Sequence, residues 1–266
     1  MKLGIFEKSS RFYVKHPRAA KNISLVVLVL AVFGLLYLDV PPWLAVLLLL
    51  LFSFSRFFVI ANAGNTLASP AVKQMIHQGD PEPLLKISEE LLSYPAAPAN
   101  RQVYLINYCA ALGNVGEHDK AYELLREINI DEKTTHPANK LVYYNNLAGL
   151  RMSMGVNDEA VENYQKALKV FEDIKNEKWR KAVAPTANHV RAYLAYFEGE
   201  YHSCLALLQT PMPTLTGRVD QAFLRARVAI AQGDLQTAKE KLHEVIEKGN
   251  KLYCVTEAKE LLKTLE

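Results

Sequence analysis

Cysteine is scarce in this chain of 266 residues: there are three, widely separated at 109, 204 and 254. An odd, scattered set gives no disulfide framework and no paired metal-ligand spacing. Cys109 and Cys204 are expected to be buried small residues, and reduced thiols fit a cytosolic domain. Signature motifs of chemistry are absent too. There is no G-x-x-x-x-G-K loop to cradle phosphate, no His-Glu-x-x-His and no Cys-x-x-Cys. His202-Ser203-Cys204 sets a base beside two nucleophiles, but sequence neighbours on a helix point in different directions. No catalytic set and no cofactor or metal site is expected, so the chain reads as a non-enzyme.

An excess of one charge is also missing from most of the chain. The net charge is +3, yet the first 22 residues carry six basic groups against Glu7 alone. Asp39 and Arg56 cancel, and the rest holds 24 basic and 26 acidic residues. That near balance is no footprint for nucleic acid.

Long apolar runs are present, and both are near the start. The first is uninterrupted from Ile23 to Leu38, about 24 Å of helix at 1.5 Å per residue. After Pro41-Pro42 a second run, 43–61, is broken only by Arg56. Together they predict a transmembrane helical hairpin over 23–61, with spans 23–38 and 43–61. The short first run and Arg56 keep a shallow re-entrant hairpin open as an alternative. Basic residues lie before the first run and none lies in the short loop. This places both termini in the cytosol, which in a bacterium means the inner membrane. The expected divisions are a basic cytosolic tail (1–22), the hairpin, a flexible tether (62–69) and a helical domain (70–266).

That domain has a repeat. The stretch 143–168 reads as two amphipathic helices joined at Gly155, where a positive φ is cheap, with Asn157 or Asp158 capping the second. Turn glycines recur at Gly79, Gly116, Gly199 and Gly233, spaced by 37, 39, 44 and 34 residues along the series. Five residues after each turn stand Leu84, Ala121, Ala160, Cys204 and Ala238; seven before stand Val72, Cys109, Ala148, Ala192 and Ala226. Mostly small residues at these places let paired helices approach closely. Pro137 and Pro185 fall in the longer spacings and are expected at joints between units. A helix-pair period near this length is the mark of a solenoid.

The central unit resembles a tetratricopeptide repeat: an opening aromatic, Asn-Leu-Ala, the turn glycine, Asp-Glu-Ala, Tyr164 and Lys-Ala167-Leu. The units at Gly233 and Gly116 follow the same pattern, and those at Gly79 and Gly199 depart from it with Leu84 and Cys204. The expected fold is therefore all-α: a two-helix transmembrane hairpin, then a right-handed α-solenoid of about four to five helix pairs with a C-terminal capping helix. The resemblance implies a concave groove lined by the first helix of each pair. On it would stand Asn145, Met152, His189, Tyr193, Tyr196, Phe223 and Arg227, with Val142, Val103, Ile106, Thr186 and Asp220 beside them. Tyr193 and Tyr196 could instead pack between neighbouring helices. Of the Lys/Asn/Arg set that holds a partner's terminal carboxylate, only Asn145 and Arg227 are present. The function expected is a membrane-anchored scaffold that binds a protein partner at the cytosolic face, with a structural subunit of a larger membrane complex as the alternative. Its partners would be protein and the lipid bilayer; self-association is left open.

Overall fold

The computed structural model describes residues 5–38, 40–130 and 135–265. Among them the regular structure is entirely helical. A short helix α1 (Ile5–Lys15) leads into α2 (Pro17–Tyr37), which turns at Pro41 into α3 (Pro42–Gln78). There follow α4 (Glu82–Leu92), α5 (Pro98–Asn114), α6 (His118–Arg126), α7 (Pro137–Ser153) and α8 (Asn157–Glu172). The last five are α9 (Glu177–Phe197), α10 (Tyr201–Leu207), α11 (Leu215–Ala231), α12 (Leu235–Lys248) and α13 (Cys254–Thr264).

Five helix pairs run from the end of α3 to α12, and each turns on one of the five glycines. All five adopt the left-handed conformation, with φ between 67° at Gly79 and 92° at Gly116. The packing places follow the sequence pattern. Leu84, Ala121, Ala160, Cys204 and Ala238 are at most 1% exposed, and Cys109, Ala148, Ala192 and Ala226 lie beside them in the core. Tyr164 and Ala167 are buried in the same layer. Helix α13 covers the last pair, with Ala258 and Val255 buried against it.

Three expectations are corrected. The tether at 62–69 is helix: α3 continues without a break for 37 residues, about 55 Å, from the apolar run into the first repeat. Ala63, Leu67 and Ala68 are buried there, so packing holds the segment helical, and Pro70 forfeits one backbone hydrogen bond without ending the helix. Pro185 likewise stands inside α9 rather than at a joint. Neither Asn157 nor Asp158 caps α8, whose N-cap is Val156; Asp158 and Glu159 instead place negative charge in the first turn.

Among the described residues, α2 over Pro17–Tyr37 and the first part of α3, Pro42–Ile60, are long and apolar enough to cross a membrane, with mean hydropathy 2.2 and 2.3. Their large side chains, among them Leu30, Phe33, Leu50 and Phe54, are exposed. Arg56 turns inward across the hairpin. One guanidinium nitrogen donates to Ser24 Oγ at 2.8 Å, and the group lies 5.9 Å and 5.8 Å from the rings of Tyr13 and Phe52. Within the basic tail, α1 packs on α3, and Arg11 pairs with Glu90 of α4.

Candidate functional site

The solenoid closes on itself. The segment between α12 and α13 crosses to the opposite end of the array and joins two of the glycine turns. Lys251 N–H donates to Gly79 O at 3.1 Å, Tyr253 N–H to Asn114 O at 2.9 Å, and Asn250 Nδ2 to Gln78 O at 2.8 Å. Lys251 Nζ adds ion pairs to Asp80 and Glu82 at 3.3 and 3.2 Å. The Tyr253 ring meets His118 edge-on at 4.5 Å between centroids. Burial of His118 lowers its pKa, favouring the neutral ring in this contact.

Closure turns the expected groove into a bowl of about 330 Å³. Its walls are the first helices of successive pairs: Cys109 and Gly113 from α5, Asn145, Asn146, Gly149 and Met152 from α7, Thr186, His189 and Tyr193 from α9, and Asp220 and Phe223 from α11. The closing segment supplies Leu252 and Tyr253, and the first turn of α13 supplies Cys254 and Glu257.

A polar trio crosses from α9 to α11. His189 Nε2 lies 2.6 Å from Asp220 Oδ2, and Tyr193 donates its hydroxyl to Asp220 Oδ1 at 2.7 Å. His189 and Tyr193 are buried, while Asp220, although enclosed by the bowl, is 43% exposed at the side chain because the bowl admits water. Burial opposes ionisation of Asp220, but the charge of His189 and the two hydrogen bonds outweigh it and hold the pKa below the usual range. Glu257 is shifted the other way: burial raises its pKa, and Arg227 only partly counters. Burial favours the protonated cysteine thiols, pushing Cys109 and Cys254 up to about 12 and Cys204 to about 11.

Of the residues expected on the concave face, the structure brings Asn145, Met152, His189, Tyr193 and Phe223 together around the bowl, with Thr186 and Asp220. Tyr193 also serves the core, its ring stacked on Tyr164 at 5.0 Å and 9°. Five of the expected residues lie elsewhere. Tyr196 packs between helices, beside Phe197 and Tyr201. Arg227 is not on the lining but sits behind it, its guanidinium 4.9 Å over the Phe223 ring and 3.9 Å from Glu257. Val142, Val103 and Ile106 also lie outside it. Leu252 to Glu257 are not legible in the sequence as site residues, because a contact between the two ends of a solenoid leaves no local pattern; the bend that makes it falls at Asn250, which takes a positive φ of 52°.

These features define a closed helical-repeat protein with a polar inner bowl. Residues 140–249 match the family model described as tetratrico peptide repeat, so the chain carries a tetratricopeptide-repeat region. No curated protein matches the chain. Among solved structures, one described as the functional characterization of Pseudomonas aeruginosa pilF is 17% identical, with a TM-score of 0.42, covering 86% of this chain and 92% of that one.

Proposed function

We propose that this chain is a membrane-anchored repeat scaffold that acts by binding, holding a short segment of a protein partner in its bowl at the cytosolic face. One observation carries the reading: the inner helices leave a polar bowl of about 330 Å³ in which Gly149 faces open space, with nothing within 4 Å of where a Cβ would stand. That volume suits a few residues of a partner rather than a long extended peptide. The exposed apolar helices support anchoring, and the basic groups before the first of them support cytosolic termini. Because α3 is continuous, the first repeat would be held rigidly at the bilayer, raising the local concentration of whatever the bowl holds.

The test is in-cell crosslinking of the full chain beside Gly149→Phe, which fills the bowl from a position with room. A dominant partner lost in that variant supports the reading; a partner retained by it places the contact elsewhere. Retention also favours a second reading, a structural subunit docked through its membrane helices. Gly34 supports that alternative, since it leaves an open notch on the exposed face of α2 with nothing within 4 Å. A partner held through that notch stays bound in high salt and is lost on Gly34→Leu.

A further inference from the structure

Two carboxylates, Asp220 and Glu257, stand on the lining of the bowl, and no lysine or arginine does among the described residues; the basic group nearest Asp220 is the His189 ring, 2.6 Å away on the same wall. Arg227 offsets Glu257 in part from behind the lining, at 3.9 Å, with its guanidinium over the Phe223 ring. The Asp220 carboxylate accepts one hydrogen bond at each oxygen, which leaves a lone pair on each. With 43% of its side chain exposed to the bowl, those lone pairs are available to a ligand.

A second observation points to an occupant. His189, only 7% exposed and on the bowl wall, keeps Nδ1 without a hydrogen-bond partner, and so does Nδ2 of neighbouring Asn146. Buried polar atoms left unpaired are costly and are commonly satisfied by something bound. Asp220, whose carboxylate the bowl does expose, is an acceptor suited to a cation. Resting on the reading above, we propose that the bowl selects a partner segment bearing a cationic side chain, arginine or lysine, and seats that charge on Asp220 with Glu257 beside it. A partner's terminal carboxylate would be repelled by both groups, so capture of a chain end is disfavoured here. A guanidinium gains most from this geometry, because it can donate to both outer lone pairs of Asp220 at once.

The test uses the full chain held in nanodiscs and a display library of random heptapeptides with blocked amino ends. Peptides enriched on the wild-type chain are measured against Asp220→Asn, Glu257→Gln and Gly149→Phe, each first checked for wild-type helicity and melting. The expected result is enrichment of arginine or lysine at one position, with affinity falling tenfold or more on Asp220→Asn and on peptide Arg→citrulline, and with loss on Gly149→Phe. If Asp220→Asn melts early, Glu257→Gln and the citrulline exchange carry the same test without touching the His189–Tyr193 trio. Remaking the winning peptides with free amino ends separates a side-chain cation from a chain-end amine, and preference for the amine overturns the side-chain assignment. Enrichment of peptides without a cation that are still blocked by Gly149→Phe overturns the charge assignment and leaves the bowl as the binding site. Peptides that bind Gly149→Phe as well as wild type, or no enrichment at all, overturn both.

Discussion

The backbone N–H of Tyr253 donates to the carbonyl of Asn114 at 2.9 Å, tying the loop after the last helix pair to the turn of the second. Beside it the first turn is tied to the same loop through Gly79 and Lys251. The turn glycines thus divide into two kinds. At Gly155 and Gly233 a Cβ would meet nothing within 4 Å, so alanine there bears only the left-handed backbone cost, about 1 kcal/mol. At Gly79 it would lie 2.9 Å from Gly249 O, and at Gly116 2.6 Å from the Tyr253 ring. Alanine at either adds the cost of forcing packed groups apart, roughly 1–3 kcal/mol more. Thermal or urea unfolding of the four variants should rank Gly79→Ala and Gly116→Ala below Gly155→Ala and Gly233→Ala. Amide exchange at Lys251 and Tyr253 should quicken in the first pair alone; equal effects in all four would show that the closure contributes little.

The continuity of α3 makes a second prediction about where the repeat domain begins. A fragment starting at residue 70 discards the buried Ala63 together with Gly64, Leu67 and Ala68, which pack on α4 and α5. Burying Leu67 alone is worth about 2 kcal/mol. A fragment starting at residue 62 should therefore melt higher than one starting at 70, and bind less of a dye that reports exposed apolar surface. Identical melting curves would restore the tether.

How much could be read beforehand depends on the range of the interaction. Gly155, Ala148 and Ala160 were legible because a tight turn and a close helix contact each demand a residue type at a fixed distance along the chain. Residues 62–69 misled because Asn62, Gly64, Asn65 and Ser69 are poor helix formers in isolation. Gly64 is there because Tyr104 fills the space a side chain would take, a reason visible only with α5 in place. Arg227 was assigned to the concave face by its spacing on α11, yet it turns to Glu257 on a helix that spacing could not bring near. The trio of His189, Tyr193 and Asp220 lay between, since each residue was on the expected face but their mutual bonds depend on how α9 and α11 pack.

A third prediction concerns pH. Arg151 grips Glu159 with two hydrogen bonds at 2.6 and 2.8 Å, and Tyr122 donates to the same carboxylate at 3.0 Å. Those bonds, from Arg151 first and then Tyr122, lower the Glu159 pKa below its ordinary value. A carboxylate whose folded pKa is depressed adds stability that is present above its unfolded pKa, near 4.3. That stability is lost as the pH falls through the folded value. Glu159→Gln should thus be less stable than wild type at neutral pH, and the gap should narrow on acidification below the unfolded pKa. Melting curves from pH 7 down to pH 3 measure it; a gap that stays constant would mean that neutral packing, not the ion pair, accounts for the loss.

Two glycines within helices carry opposite expectations for one identical change. Alanine is the better helix former by about 1 kcal/mol, so Gly→Ala stabilises wherever the new methyl has room. Gly149 in α7 faces the bowl with nothing within 4 Å, and Gly149→Ala should raise stability by about 0.5–1 kcal/mol. Gly64 in α3 has the Tyr104 hydroxyl 1.8 Å from the position a Cβ would take, and the ring carbon that bears it at 2.5 Å. Tyr104 is 3% exposed and cannot swing aside without parting α5 from α3. Gly64→Ala should therefore destabilise by roughly 1–3 kcal/mol, overpacking outweighing propensity. Adding Tyr104→Leu, which removes the obstructing end of the ring, should recover part of that loss, while the same second change beside Gly149→Ala should recover nothing. Unfolding of the two single and two double variants decides it: a loss at Gly64 that Tyr104→Leu leaves untouched would mean that the close approach of α3 and α5 is not what the glycine serves.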